Sequence, residues 1–267
     1  MQHLQHPMGP LHQIPPEDVF LSVDDGGTQT GMGYVICQVQ PHLDPDCPIN
    51  IYFSLECAPQ VRFLLFGALV ARARQLRDVN PSMKARIYTA IGPGETETAS
   101  FYESSGLTLN HTEVMVRLNP LTREAYLPMG ASIKEIPLFS PEEQMRLLGR
   151  FQQNDLKYLD AAYLQQMMNT PHFRAMGVVQ NDRILAEGVT AGVGGKCELL
   201  ALYVAQDVRR QGIAKVLLRQ FMIVMMAEGV TDFTARIMTR SAPQSALTRA
   251  FAAEQLEVLT LFPELSI

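Results

Sequence analysis

Residues 197–228 read CELLALYVAQDVRRQGIAKVLLRQFMIVMMAE. The opening run, Cys197 to Val204, has the length and apolarity of a buried strand. A polar connector follows, and from Ile213 the apolar residues Val216, Leu217, Phe221, Val224 and Met225 recur at three- and four-residue spacing, the signature of a helix. A strand therefore feeds a helix through Arg209-Arg210-Gln211-Gly212. The first turn of such a helix has backbone N–H groups without intrahelical partners, at the positive end of the macrodipole. Gly212 has no side chain and Ala214 a minimal one, so a phosphate can approach the amides, and the two arginines add charge-assisted hydrogen bonds. Read alone, the stretch is a diphosphate cradle.

Outward from it, residues 1–16 are rich in His, Gln and Pro and read as a flexible N-terminal tail. Two strands, 18–24 and 31–40, join at Asp25-Gly26-Gly27, a hairpin turn. A strand at 49–56 leads to a helix at 61–79, whose aliphatic face is interrupted by Arg72. Strand 85–91, helix 95–105 ending at Gly106 and strand 112–118 follow. After a proline-bearing boundary at 119–130 comes strand 132–137. Ser140-Pro141-Glu142-Glu143 then signals a helix start, with a capping serine, proline in the first turn and acids near the positive end. A helical segment at 159–168 and a hairpin around Asn181-Asp182 lead into the quoted strand. Strand 232–240, helix 244–253 and strand 256–261 complete the chain. Ala85-Arg86-Ile87-Tyr88-Thr89 and Ala235-Arg236-Ile237-Met238-Thr239 differ at one position, each leading through a polar loop into a helix. This suggests two copies of one fold.

Arg209-Arg210-Gln211-Gly212-Ile213-Ala214 resembles the Q/R-x-x-G-x-G/A signature of the GNAT acyltransferases, in the strand–loop–helix–strand–helix context of that superfamily. The resemblance implies an α/β fold with a mixed sheet and α+β character, as two GNAT-like domains in tandem. The first, at 17–125, is truncated and degenerate, lacking the opening strand and helix pair. The second, at 131–267, holds acyl-CoA. The signature would grip the pyrophosphate of acetyl-CoA, or another acyl-CoA, through Arg209, Arg210, Gln211, Gly212, Ile213, Ala214 and Lys215. The pantetheine arm would lie along Leu202, Tyr203 and Val204 like an added strand. In the first copy, aligning Gln60 with the signature's first residue puts Phe63 and Leu65 on the small positions, where they would plug a phosphate site. Phe101-Tyr102-Glu103-Ser104-Ser105-Gly106-Leu107 still resembles the family's late motif.

The implied reaction is acetyl transfer to a primary amine of a small molecule or peptide. Glu198 stands where some family members place a general base, and an apolar strand would desolvate it. The other reading of Glu198 is an ion pair with an arginine such as Arg236. At the position where the family often carries a proton-donating tyrosine stands Phe251, leaving Ser241 and Ser245 to cap the late helix or position a water. A catalytically silent CoA-binding or interaction protein is the alternative, and a hydroxyl acceptor stays open. Asp155, Asp160 and Glu187 are candidate contacts for a cationic amine, with surface charge as the simpler reading. Met167 and Met168 could border the acceptor cleft or serve the core.

Composition sets outer limits. The chain has 267 residues, 47% of them hydrophobic, enough for one large or two ordinary domains. A net charge of −5 gives no electrostatic case for nucleic acid or an anionic membrane. The four cysteines form no C-x-x-C pair and read as reduced residues, and no metal tract stands out. With no apolar run of spanning length and no signal-peptide pattern, a cytoplasmic protein is expected, and monomer or homodimer both stay open.

Overall fold

In the computed structural model, residues 2–41, 46–120, 126–153 and 159–267 are described. The chain divides into two compact units, one of Met1–Thr112 with Thr260–Ile267, the other of Glu113–Leu259.

The first unit begins with β1 (Gln2–Gln5), β2 (Val19–Asp24) and β3 (Gln29–Val39), each antiparallel to the one before. The β2–β3 turn is closed by Asp24, whose Oδ1 accepts from the N–H groups of Gly26 and Thr28. Strand β4 (Ile49–Cys57) pairs antiparallel with β3, and helix α1 (Arg62–Asp78) carries the chain to β5 (Ala85–Tyr88), parallel to β4. Helix α2 (Thr96–Ser104) and strand β6 (Thr108–Arg117) follow. Helix α1 buries Leu65, Phe66, Leu69 and Ala73 against the sheet. Phe53, Phe66, Phe101 and Tyr102 form an aromatic cluster there, with edge-on and tilted ring pairs at centroid distances of 5.2–6.1 Å. Arg72 breaks the apolar stripe for a reason: its Nε is 2.7 Å from Asp18 Oδ1.

The second unit opens with β7 (Ala131–Glu135), then α3 (Pro141–Gln152), α4 (Ala161–Met168), β8 (Arg174–Gln180) and β9 (Arg183–Val193). Helix α3 starts with a full capping box, Ser140 and Glu143 each accepting from the other's backbone N–H. The hairpin residues Asn181 and Asp182 both take positive φ, as a two-residue primed turn requires. Then come β10 (Lys196–Val204), α5 (Ile213–Ala227), β11 (Asp232–Met238), α6 (Ala242–Ala250) and β12 (Glu254–Ser266). Strands β7 to β10 are successively antiparallel, β10 and β11 are parallel, and β11 pairs antiparallel with Glu113–Arg117 of β6. Two cores sandwich the sheet. One gathers Met176, Val178, Cys197, Leu199 and Ala235 under α5, and the other gathers Ala175, Val189 and Leu200 under α3 and α4.

Both units share one strand order. In the first it is β1-β2-β3-β4-β5 with the end of β12, which pairs with β5 through Glu264↔Tyr88. In the second it is β7-β8-β9-β10-β11 with the end of β6. Each sheet thus closes on a strand that sequence order assigns to the other copy, and the compact units are cut differently from the expected 17–125 and 131–267. Two further expectations change. Residues 1–16 are not simply a tail, because Gln2–Gln5 is a paired strand. The first copy therefore has its opening strand, and what it lacks is the helix pair, replaced by one 3-10 turn at Pro16–Asp18.

Candidate functional site

Parallel pairing between β10 and β11 begins at Lys196↔Asp232 and ends at Leu199↔Ala235. Beyond that point β11 turns to β6 alone, while β10 continues through Val204 paired only with β9. A register shift between Leu199 and Ala201 bends β10 at the same place. The strands therefore fork. Leu202, Tyr203 and Val204 pair with Gly188, Glu187 and Ala186 on one side and have no β11 partner on the other.

The arginine turn stands at the mouth of this fork. Val204 ends the strand, a 3-10 turn covers Gln206–Val208, and Arg209 Nε folds back to donate to Val204 O at 3.1 Å. Arg210 has φ 64° and Gly212 φ 82°, both left-handed, which coils the backbone ahead of α5. No side chain caps α5. Gly212 O accepts from Lys215 and Val216, while the N–H groups of Gly212, Ile213 and Ala214 have no hydrogen-bond partner among the described residues. A Cβ built on Gly212 meets no atom within 4 Å. Arg209, Arg210, Gln211 and Lys215 are exposed, and Ile213 is buried as the anchor of the helix. The turn is an open cradle of amides with exposed cations around it, and a diphosphate fits that donor set.

At the base of the fork, Glu198 Oε1 lies 2.9 Å from Arg236 Nε. Glu198 is the residue before the last parallel pair and Arg236 the residue after it, so the ion pair bridges the parting strands. Burial opposes the charge of Arg236, yet Glu198, joined by Glu113 and Tyr163, holds the guanidinium above its ordinary value. Tyr163, on α4, completes the group. Burial pushes its hydroxyl up, and the neighbouring Glu198 charge adds to the shift. Sequence reading missed Tyr163. Its signal was Asp160, which caps α4 by accepting from Tyr163 N–H at 2.7 Å and so fixes the phase of that helix.

Other candidates are placed elsewhere. Phe251 is 1% exposed and packs in the core under α5, so no side chain there reaches the fork. Ser241 caps α6, and Ser245 donates to Thr239 O at 3.3 Å. Cys197 is buried, and burial pushes its thiol up to about 11. Glu187 is not surface charge: it is fully buried and held by Arg150 through Nε–Oε1 at 2.6 Å and Nη2–Oε2 at 2.9 Å. Desolvation raises its carboxyl, and Arg150 opposes that shift. Asp155 lies outside the described residues. Met167 and Met168 pack against the core under α3 and α4. No three His, Cys, Asp or Glu side chains converge as a metal site among the described residues.

The counterpart in the first unit is built differently from the expected plug. Strand β4 also outruns its parallel partner, whose last pair is Tyr52↔Tyr88. Ala58 and the 3-10 turn Pro59–Val61 match Ala205 and Gln206–Val208, but α1 then starts at once with Arg62. The whole turn Arg209–Gly212 has no equivalent. Phe63 is 68% exposed and Leu65 faces the core, so neither fills a phosphate site. The difference is a missing turn rather than an obstructing side chain.

A family model described as the Acetyltransferase (GNAT) family matches residues 141–247, from the start of α3 into α6. Residues 141–247 are thus similar to the GNAT family over a single domain's length. Among solved structures, a GCN5-related N-acetyltransferase from Sphaerobacter thermophilus is 14% identical, with TM-score 0.50 over 94% of this chain and 81% of its own. A probable N-acyltransferase of unknown function from Enterococcus faecalis V583 is 11% identical, with TM-score 0.53 over 99% of this chain and 72% of its own. A tandem GNAT protein from the clavulanic acid biosynthesis pathway is 14% identical, with TM-score 0.47 over 97% and 90%. At such identities the likeness is one of fold. No curated protein matches the chain at a significant level. Acyltransferases of the GNAT family use acyl-CoA as co-substrate, and the matched span contains both the fork and the arginine turn. No helix among the described residues is long and apolar enough to cross a membrane.

Proposed function

We propose that the GNAT domain transfers an acetyl group from acetyl-CoA to a primary amine of a small molecule or peptide, acting in the cytoplasm as a monomer or homodimer. The observation that carries this reading is the coincidence of an unpartnered amide turn with the open strand fork it leads into. Arg209, Arg210, Gln211, Gly212, Ile213, Ala214 and Lys215 hold the diphosphate. The unpaired side of Leu202, Tyr203 and Val204 takes the arm of the co-substrate as an added strand. When bound, acyl-CoA supplies an activated thioester.

Glu198 acts as general base. Arg236 fixes its Oε1, while Oε2 has no hydrogen-bond partner among the described residues and is available to take the proton of the incoming ammonium. Holding the amine beside this carboxylate converts a bimolecular encounter into an oriented one. A thiol needs less help from a protein acid to depart than an alcohol or amine would, so the site would work without a dedicated proton donor, consistent with the buried Phe251.

A second reading is a catalytically silent CoA-binding protein, favoured by the same ion pair if Arg236 never lets Glu198 receive a proton. Steady-state release of CoA from acetyl-CoA with a panel of primary amines separates the two. Turnover on any amine supports the enzyme. Tight CoA binding without turnover on all of them supports the silent protein.

A further inference from the structure

The first unit has a strand fork of its own. Strand β4 runs on to Cys57, but its pairing with β5 ends at Tyr52↔Tyr88. Past Tyr88 the chain leans the other way, towards β12: Thr89 N–H donates to Pro263 O at 3.1 Å, and the backbones of Ile91 and Leu261 bond each other. The ladder fixes which main-chain groups of β4 are left over. Ile49 N–H points to the β5 side, reaching Lys84 O at 3.2 Å, and Ala58 N–H points to the β3 side, reaching Thr30 O at 3.0 Å. The β3–β4 register runs without a shift, so the direction alternates residue by residue along β4. Leu55 therefore aims both its N–H and its C=O into the fork, where no described strand pairs with it. An unpaired strand edge is a template for another extended backbone. With no arginine turn beside it, this edge must hold its ligand by main-chain pairing and by the side chains at the fork.

Those side chains select the ligand. Ile49, Ile51 and Phe53 belong to the core under α1, so Tyr52, Ser54 and Glu56 face the opposite way. On that face Tyr34, Tyr52, Tyr88 and Phe262 form a half-buried aromatic row, with successive centroids 5.7–6.5 Å apart. Burial pushes the Tyr52 hydroxyl up, with Tyr34, Tyr88 and Glu56 adding to the shift. Glu56 is exposed and forms no ion pair among the described residues. The neighbouring charges are spent. Arg62 Nη1 meets Glu97 Oε1 at 3.4 Å, Glu95 Oε1 accepts from Gly92 N–H at 2.7 Å, and Arg86 lies 3.7 Å from Glu264. The uncommitted charge is the Glu56 carboxylate, beside a row of rings whose faces attract a cation.

We propose that the first unit takes an extended peptide bearing a basic side chain as an added strand in this fork, its backbone paired with Leu55 and its cation laid over Tyr52 and Tyr88 towards Glu56. Backbone pairing holds the peptide, and the carboxylate chooses the sign of its side chain.

The test is calorimetric titration of the full chain, without acetyl-CoA, with the end-blocked pentapeptide Thr-Val-Lys-Val-Thr. The same peptide with Glu in place of Lys is the charge control. Two further versions carry N-methyl groups on alternate amides, in either phase. The Lys peptide should bind saturably below about 1 mM, the Glu peptide at least about tenfold more weakly, and one N-methylation phase should abolish binding. Leu55→Pro removes the N–H in the fork without breaking a ladder bond, because that group points away from β3, and should weaken binding about tenfold. Glu56→Gln, at an exposed side chain, supplies a second variant should Leu55→Pro fail to fold. It should bring the Lys and Glu peptides to similar affinity while its acetyl-CoA titration matches the parent. Absence of Lys-peptide binding up to about 1 mM would overturn the proposal. So would equal affinity of the parent for the Lys and Glu peptides, tolerance of both N-methylation phases, or a Glu56→Gln variant that still prefers the Lys peptide as the parent does.

Discussion

Glu198 and Arg236 are 2.9 Å apart across the point where β10 and β11 separate. The pair closes the base of the fork and presents one carboxylate oxygen to it while the other is tied down. Position and restraint of the proposed base therefore come from one neighbour, which the chain supplies from the adjacent parallel strand.

Glu198→Gln preserves the acceptor for Arg236 but cannot take a proton. The expected outcome is a fall in kcat/KM of about 10²-fold near neutral pH, typical for loss of a general base. The deficit should narrow as pH rises and the amine deprotonates unaided. A pH–rate profile on both proteins checks this, and a constant ratio across pH removes Glu198 from the base role.

Arg236→Met frees the carboxylate without deleting it. Activity should drop by about tenfold, less than in Glu198→Gln, and the double variant should be no worse than Glu198→Gln alone. Additive losses in that cycle would mean that Arg236 acts on something other than Glu198.

Much of this was legible in sequence. The switch in apolar period at Val204–Ile213 located strand, turn and helix, because two periodicities cannot share one stretch. The Ala-Arg-Ile-x-Thr repeat located the second copy, since both instances lie on a strand parallel to its neighbour. What stayed hidden was long-range. Nothing local marks β6 as a partner of β11, or the end of β12 as a partner of β5, because strand pairing is decided by the assembled sheet. Gln2–Gln5 was unreadable for a related reason: an edge strand with alternating half-burial shows little apolar pattern. The buried Glu187 was misjudged as surface because its partner, Arg150, stands 37 residues away on α3.

Breaking the Glu187–Arg150 pair tests that correction. Arg150→Met leaves a fully buried carboxylate alone and should destabilise the chain by about 3 kcal/mol, the lower end for a buried pair because Arg150 is partly exposed. Adding Glu187→Gln should recover part of the loss. Urea unfolding of the single and double variants gives the answer, and no recovery would mean that Arg150 acts through packing.

Cys197 gives a pH signature. Its thiol titrates at about 11 in the folded chain, above its unfolded value, so folding favours the protonated form. That contribution is complete below the unfolded pKa of about 8.5 and is lost as pH rises towards the folded one. Stability should therefore decline between about pH 8.5 and 11. The slope should be shallower in Cys197→Ala whatever its absolute stability. Identical slopes would contradict the assignment.

The most direct test of the central claim is calorimetric titration of acetyl-CoA into the parent protein, Gly212→Val and Gly229→Val. Both glycines have positive φ, 82° and 86°, with open space where a Cβ would stand, so both variants carry similar backbone strain of about 1–2 kcal/mol. Only Gly212 lies in the turn assigned to the diphosphate. The expected result is tight binding to the parent and to Gly229→Val, with affinity reduced at least about tenfold in Gly212→Val. Equal affinities for the two variants, or no binding to the parent, would contradict the cradle.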